Sequence, residues 1–195
     1  LKWDIIVKAK KTLAREQGHL LKNWGGHLPI AFSYANSYQV GMSSLGFQTL
    51  YRLWNEQPQV VCERVFWSER AREPLITLES QHDVLDCAVW AFSLSFELDY
   101  FNLIGMLRQA EMPLRAAERD ETYPLLLVGG PAVTANPEPL AAIADAFFIG
   151  EAEEQIAPLS ELFWELLDAP RAKLFDALAQ FPGVYVPGRS PAPVK

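Results

Sequence analysis

Two cysteines in 195 residues, Cys62 and Cys87, are too few for a disulfide framework and too few to ligate an iron–sulfur cluster. They read as buried thiols. The three histidines, His19, His27 and His82, have no His-x3-His or Cys-x2-Cys partner, which argues against a zinc site. No uninterrupted apolar run approaches the roughly 20 residues that cross a bilayer, so the expectation is a soluble, cytoplasmic protein with no membrane partner. No Gly-x4-Gly-Lys-Ser/Thr loop is present for a nucleoside triphosphate. Gly41-Met42-Ser43-Ser44-Leu45-Gly46 has the wrong spacing for a serine nucleophile elbow. No segment repeats at a fixed period, which excludes a solenoid.

What is there is a chain that is 50% hydrophobic with a net charge of −7, enough apolar material for one sizeable core. The charge is uneven: residues 1–22 carry +4 and the remainder −11. The basic stretch reads as a packing helix with a solvated face, and the acidic balance of the rest argues against a nucleic-acid partner.

After Gly25-Gly26 the chain alternates between short apolar runs and helical stripes. The runs begin at Leu28-Pro29-Ile30-Ala31-Phe32, Val60-Val61-Cys62, Cys87-Ala88-Val89-Trp90-Ala91-Phe92, Leu125-Leu126-Leu127-Val128 and Ala146-Phe147-Phe148-Ile149. Continuous apolar runs are the mark of strands buried on both faces of a parallel sheet. The helical stripes fall at about 38–56, 98–110, 139–144 and 151–167, and 75–79 reads as an edge strand or an extended loop. Strand–helix alternation with right-handed crossovers predicts a three-layer α/β domain, flavodoxin-like or Rossmann-like, doubly wound, with a mainly parallel sheet of about five strands. The boundaries are a helical extension over 1–24, the α/β domain over 25–168, and a short helix with a Pro/Gly-rich departing linker over 169–195.

Ligands of such sheets bind outside the carboxyl ends of the strands, where strand order reverses. The loops after the strands therefore hold the candidates. Ser93, Ser95 and Thr134 offer hydroxyls, and Gly129, Gly130 and Gly150 let a ligand approach the backbone. Each has a structural alternative: a local hydrogen bond for the hydroxyls, an abrupt turn for Gly129-Gly130-Pro131. Glu153 and Glu154 read as helix-start carboxylates stabilised by the dipole.

Taken in order, these loops resemble the N-terminal cobalamin-binding-like domain of radical S-adenosylmethionine (radical SAM) proteins. The resemblance rests on 38–46, on Cys62-Glu63-Arg64-Val65-Phe66, on Phe92-Ser93-Leu94-Ser95-Phe96-Glu97, and above all on the run from Gly129-Gly130-Pro131 to Pro139-Leu140 followed by Ile149-Gly150-Glu151-Ala152-Glu153-Glu154. It covers roughly 25–187. It implies a domain that presents cobalamin, or a capping surface, to a downstream barrel of the same polypeptide. That barrel would carry the 4Fe-4S cluster and S-adenosylmethionine, because the Cys-x3-Cys-x2-Cys run that binds them is absent here. It also implies Ser93, Ser95, Gly129, Gly130, Thr134 and Gly150 as the cofactor-facing residues, with no catalytic residue and no metal ligand in this chain. The Asp-x-His-x2-Gly motif of cobalamin mutases is missing, so no histidine–cobalt bond is expected. The alternative is a cofactor-free interaction or substrate-gating domain, in which Tyr34, Tyr38 and Phe96 fill the space a corrin needs. Pairing of two copies is also left open.

Overall fold

A computed structural model describes residues 3–68 and 73–190. Five parallel strands, β1 (Leu28–Tyr34), β2 (Val60–Phe66), β3 (Val89–Ser93), β4 (Leu125–Gly129) and β5 (Ala146–Phe148), are joined by β6 (Val184–Tyr185), which runs antiparallel to β5. The order is β2-β1-β3-β4-β5-β6, so the direction of winding reverses between β1 and β3. This is the doubly wound α/β topology that the alternation predicts.

Side chains alternate between two cores. Leu28, Ile30, Phe32 and Tyr34 of β1 face the helices α3 (Leu45–Glu56), α6 (Ile156–Glu165) and α7 (Arg171–Leu178). Trp90, Phe92, Leu126, Val128 and Phe147 face α4 (Asp99–Gln109). Burial on both faces is why these strands read as continuous apolar runs rather than as alternating ones.

Three expectations change, and one open alternative is decided. The stripe over 38–56 is two helices, α2 (Tyr38–Ser43) and α3, because Ser44 is extended and its hydroxyl accepts a hydrogen bond from Phe47 N at 3.3 Å. A serine N-cap at that point stops one helix and starts the next. The helix expected near 139–144 is a single 3-10 turn, Glu138–Leu140, and α6 begins only after another such turn at Glu153–Gln155. Of the two readings of 75–79 the extended loop holds: the segment forms no strand and carries one bridge, Ile76 to Asp83. After residue 168 the expected short helix is α7, but the stretch read as a departing linker packs back: Leu178 and Ala179 at the end of α7, and Val184 and Val186 in and beside β6, are buried in the first core. The end of that linker, 191–195, lies outside the described residues.

Strand β2 is at the edge of the sheet, and side chains cap its outer polar groups one after another. Lys22 Nζ donates to Val60 O at 2.8 Å. The Asn55 amide accepts from Cys62 N and donates to Cys62 O. The Glu79 carboxylate accepts from Arg64 N at 2.7 Å, while Leu78 N donates to Arg64 O. An edge so occupied offers no template for a second chain.

Glu79 is fully buried and also accepts from Arg64 Nε at 2.6 Å and from the Tyr51 hydroxyl at 3.0 Å. Burial works against the Arg64 guanidinium, but Glu79 and Glu16 outweigh it and hold the group above its usual range. Burial also pushes the Glu79 carboxyl up to about 7, against the pull of Arg64. The folded state therefore holds this proton more tightly than the unfolded chain. Its contribution to stability is complete below the ordinary carboxylate range and is lost as pH rises through about 7. Glu79→Gln is expected to flatten the decline of the urea midpoint between about pH 5 and about pH 8. The same slope in variant and parent would contradict this origin.

Candidate functional site

A cavity of about 520 Å3 lies at the carboxyl ends of the strands, between the sheet and helices α3 and α6. The sheet register explains why it exists. Phe32, Ala91 and Leu127 are aligned across β1, β3 and β4, and the next row on that face is Tyr34, Ser93 and Gly129. Ala91, Ser93 and Gly129 leave space at the centre of the sheet that larger side chains would fill. Phe47, Leu50 and Trp54 of α3 and Ile156 and Leu159 of α6 form the opposite wall. The interior is apolar and the rim polar, the usual construction of a small-molecule site.

All six residues expected to face a ligand line this one cavity: Ser93, Ser95, Gly129, Gly130, Thr134 and Gly150. They differ in what holds them. Ser93 is 9% exposed, and its hydroxyl makes no hydrogen bond among the described residues. Ser95 Oγ accepts from the Tyr34 hydroxyl at 2.9 Å. Thr134 Oγ1, at the end of α5 (Pro131–Ala135), accepts from Gly150 N at 3.1 Å and joins the loop after β4 to the loop after β5. Gly150 has φ +98°, and a Cβ there would meet nothing within 4 Å, so it borders open space. Gly130 is different. At φ +105° its missing Cβ would lie 2.5 Å from Leu94 O, so close packing on the β3–α4 loop is sufficient reason for glycine there.

None of the three rings Tyr34, Tyr38 and Phe96 is among the residues lining the cavity, although Tyr34 borders it through Ser95. Tyr34 packs edge-on against Phe47. Tyr38 packs against Phe66 and donates its hydroxyl to Glu16, and Phe96 is 63% exposed. Glu151 and Glu153 line the rim, and no lysine or arginine does among the described residues. Glu153 and Glu154 lie in the 3-10 turn that leads into α6, the helix-start position expected of them, although neither makes a side-chain cap bond there.

Loop positioning depends on residues that the motifs did not reveal. Asp99, 2% exposed, accepts from Phe96 N at 3.2 Å and from Asn36 Nδ2 at 3.4 Å. Asn102 donates to Ala35 O at 2.8 Å. Together they tie the loops after β1 and β3 across the switch point on the α4 side, whereas the cavity lies on the other side. Their only sequence signal is polarity in an otherwise apolar helix start. Burial pushes both thiols, Cys62 and Cys87, well above the usual thiol range, leaving them unreactive. No group of three or more metal-ligating side chains occurs among the described residues, and no described helix is long and apolar enough to cross a membrane.

Fold and cavity together define an open α/β domain with a cavity at its topological switch point. The family described as radical SAM proteins, N-terminal, matches residues 46–187, and the chain belongs to it. No curated protein and no solved structure matches the chain.

Proposed function

We propose that this chain is the ligand-presenting N-terminal domain of a radical SAM protein and that its switch-point cavity accepts part of a cobalamin. The observation that carries this reading is the cavity itself: an apolar slot at the strand ends, lined by the Ser93 hydroxyl, which has no hydrogen-bond partner among the described residues, with an open rim at Gly150. A corrin is too broad to enter, but it can lie over the rim while the benzimidazole end of its nucleotide tail enters between Phe47, Trp54 and Leu127. Ser93 would donate to the free ring nitrogen of the benzimidazole, and Glu151 and Glu153 would accept from peripheral amides. Bound there, cobalamin supplies a cobalt centre able to carry an alkyl group. The protein's own part is to bind the tail, exclude water from the slot and turn the face toward its partner.

That partner is the radical SAM barrel of the full-length protein, which would bring the iron–sulfur cluster and S-adenosylmethionine. Leu45, Phe96, Leu98 and Phe101 are each more than 60% exposed, and they follow β1 and β3. Leu45 lies between the cavity residues Ser44 and Gly46, and Phe96 directly follows Ser95. Leu45 and Phe96, exposed apolar side chains beside the mouth, suit a docked neighbour. The same rim favours the second reading, an interaction domain without a cofactor.

Ala91→Phe separates the two. The ring would project into the slot from the central strand and leave the rim unchanged. Titration with hydroxocobalamin, followed by tryptophan quenching, is expected to give saturable binding to the parent chain and at least about tenfold weaker binding to the variant. Equal affinity would place cobalamin outside this cavity. No binding to either chain would favour the cofactor-free reading.

A further inference from the structure

The N-terminal arm is attached unevenly. Helix α1 (Trp3–Leu13) buries only Leu13, and Trp3 is 73% exposed. Residues 16–24 instead reach the body through polar bonds. Glu16 accepts from Arg64 Nη2 and from the Tyr38 hydroxyl, both at 2.6 Å. Leu20 N donates to the Tyr51 hydroxyl, and Trp24 Nε1 to Glu63 at 2.9 Å. Lys22 Nζ donates to the carbonyls of Asn55, Gln57 and Val60.

The two bonds of Glu16, and that of Leu20 by way of Tyr51 and Glu79, meet at one junction. Arg64, whose side chain is 2% exposed, holds Glu79 with Nε and Glu16 with Nη2, and its Nη1 reaches Met42 Sδ at 3.1 Å. Met42 belongs to α2, and its carbonyl accepts from Gln48 Nε2 of α3 at 2.6 Å. Ser44 and Gly46, shortly after it, line the cavity.

We infer that the arm is a strap and Glu16 a positioning residue: through Tyr38 and Arg64, Glu16 holds the α2–α3 junction and so sets one wall of the strand-end cavity. The coupling is mechanical. Without Glu16, Tyr38 and one nitrogen of Arg64 lose their acceptor, and the buried guanidinium is left with Glu79, the Tyr51 ring face at 4.7 Å and a weak sulfur contact. Helix α2 then loses the bond that pins its first turn to the arm. A buried charge that loses one of two carboxylates repositions toward the other, away from Met42. Burial and the Glu16 carboxylate together push the Tyr38 hydroxyl up to about 12, in keeping with a phenol held as a donor. This goes beyond the cobalamin reading and holds for whichever ligand enters the cavity.

Hydrogen exchange measured by mass spectrometry on the 195-residue chain without ligand tests it. In Glu16→Ala, amides of 38–47 are expected to exchange at least about tenfold faster, the effect of losing hydrogen bonds to a charged group, while those of β3 and β4 stay within about twofold. Glu16→Gln, which keeps one acceptor oxygen, should recover part of the protection. Unchanged exchange over 38–47, or acceleration by the same factor throughout the sheet, would overturn the proposal. Should Glu16→Ala fail to fold, Tyr38→Phe removes only the bond between arm and α2. Faster exchange over 38–47 in that variant supports the strap, and parent-like exchange there overturns it.

Discussion

Replacing Gly130 with alanine is expected to lower the unfolding free energy by about 3 kcal/mol or more, measured by urea denaturation. Two costs combine. The backbone at φ +105° is one that an L side chain adopts only under strain. The new Cβ would also lie 2.5 Å from Leu94 O and 2.8 Å from Leu94 N. Leu94 cannot retreat cheaply, because its N–H donates to Gly129 O at 2.9 Å and its carbonyl accepts from Ala132 N at 3.2 Å. Gly150→Ala provides the comparison: a left-handed backbone with no atom within 4 Å of the added Cβ, expected to cost only about 1 kcal/mol. The two glycines look alike in the sequence, yet the first is required by packing and the second borders open space at the mouth. Equal costs for the two would contradict this distinction.

Asp145→Ala is expected to cost about 3–5 kcal/mol, a large share of the roughly 5–15 kcal/mol that holds an ordinary domain folded. Asp145 is 4% exposed and accepts from Arg119 Nη2 at 2.9 Å, from Arg171 Nη2 at 2.7 Å and from Leu126 N at 2.8 Å. Its removal leaves the Arg119 side chain, which has no exposed surface, without a counter-charge and takes the acceptor from a β4 amide. Arg119 still donates to the carbonyls of Pro113, Leu114 and Ile143, so a trapped, uncompensated cation is the main penalty. Arg171→Ala should cost clearly less, since Arg119 still pairs with Asp145 and the lost side chain is 12% exposed. Denaturation curves in which Arg171→Ala matches or exceeds Asp145→Ala would contradict the ranking.

The sheet was legible in the sequence because its strands are buried on both faces, which turns β3, β4 and β5 into short apolar runs between helical stripes. The cavity rim was legible for a topological reason: strand-end loops converge in this fold, and their glycines and hydroxyls stand out from apolar surroundings. The cavity's walls were not. Leu50, Trp54, Ile156 and Leu159 follow helical periodicity and look like any core residue, and a small residue such as Ala91 reveals a void only when the register sets it between Phe32 and Leu127. Strand β6 was hidden because two residues between Pro182-Gly183 and Pro187-Gly188 carry no period. Ion pairs such as Glu16 with Arg64, or Arg119 with Asp145, join residues far apart in the chain, so they depend on tertiary folding and leave no local pattern.

Retention of cobalamin at the strand ends, without a histidine–cobalt bond, is tested most directly by a visible spectrum. The chain is to be mixed with excess hydroxocobalamin, desalted, and its absorbance recorded against protein concentration. The expected result is a coloured protein retaining about one cobalamin per chain, with Ala91→Phe emerging colourless. A colourless parent chain under saturating conditions would contradict the proposed role.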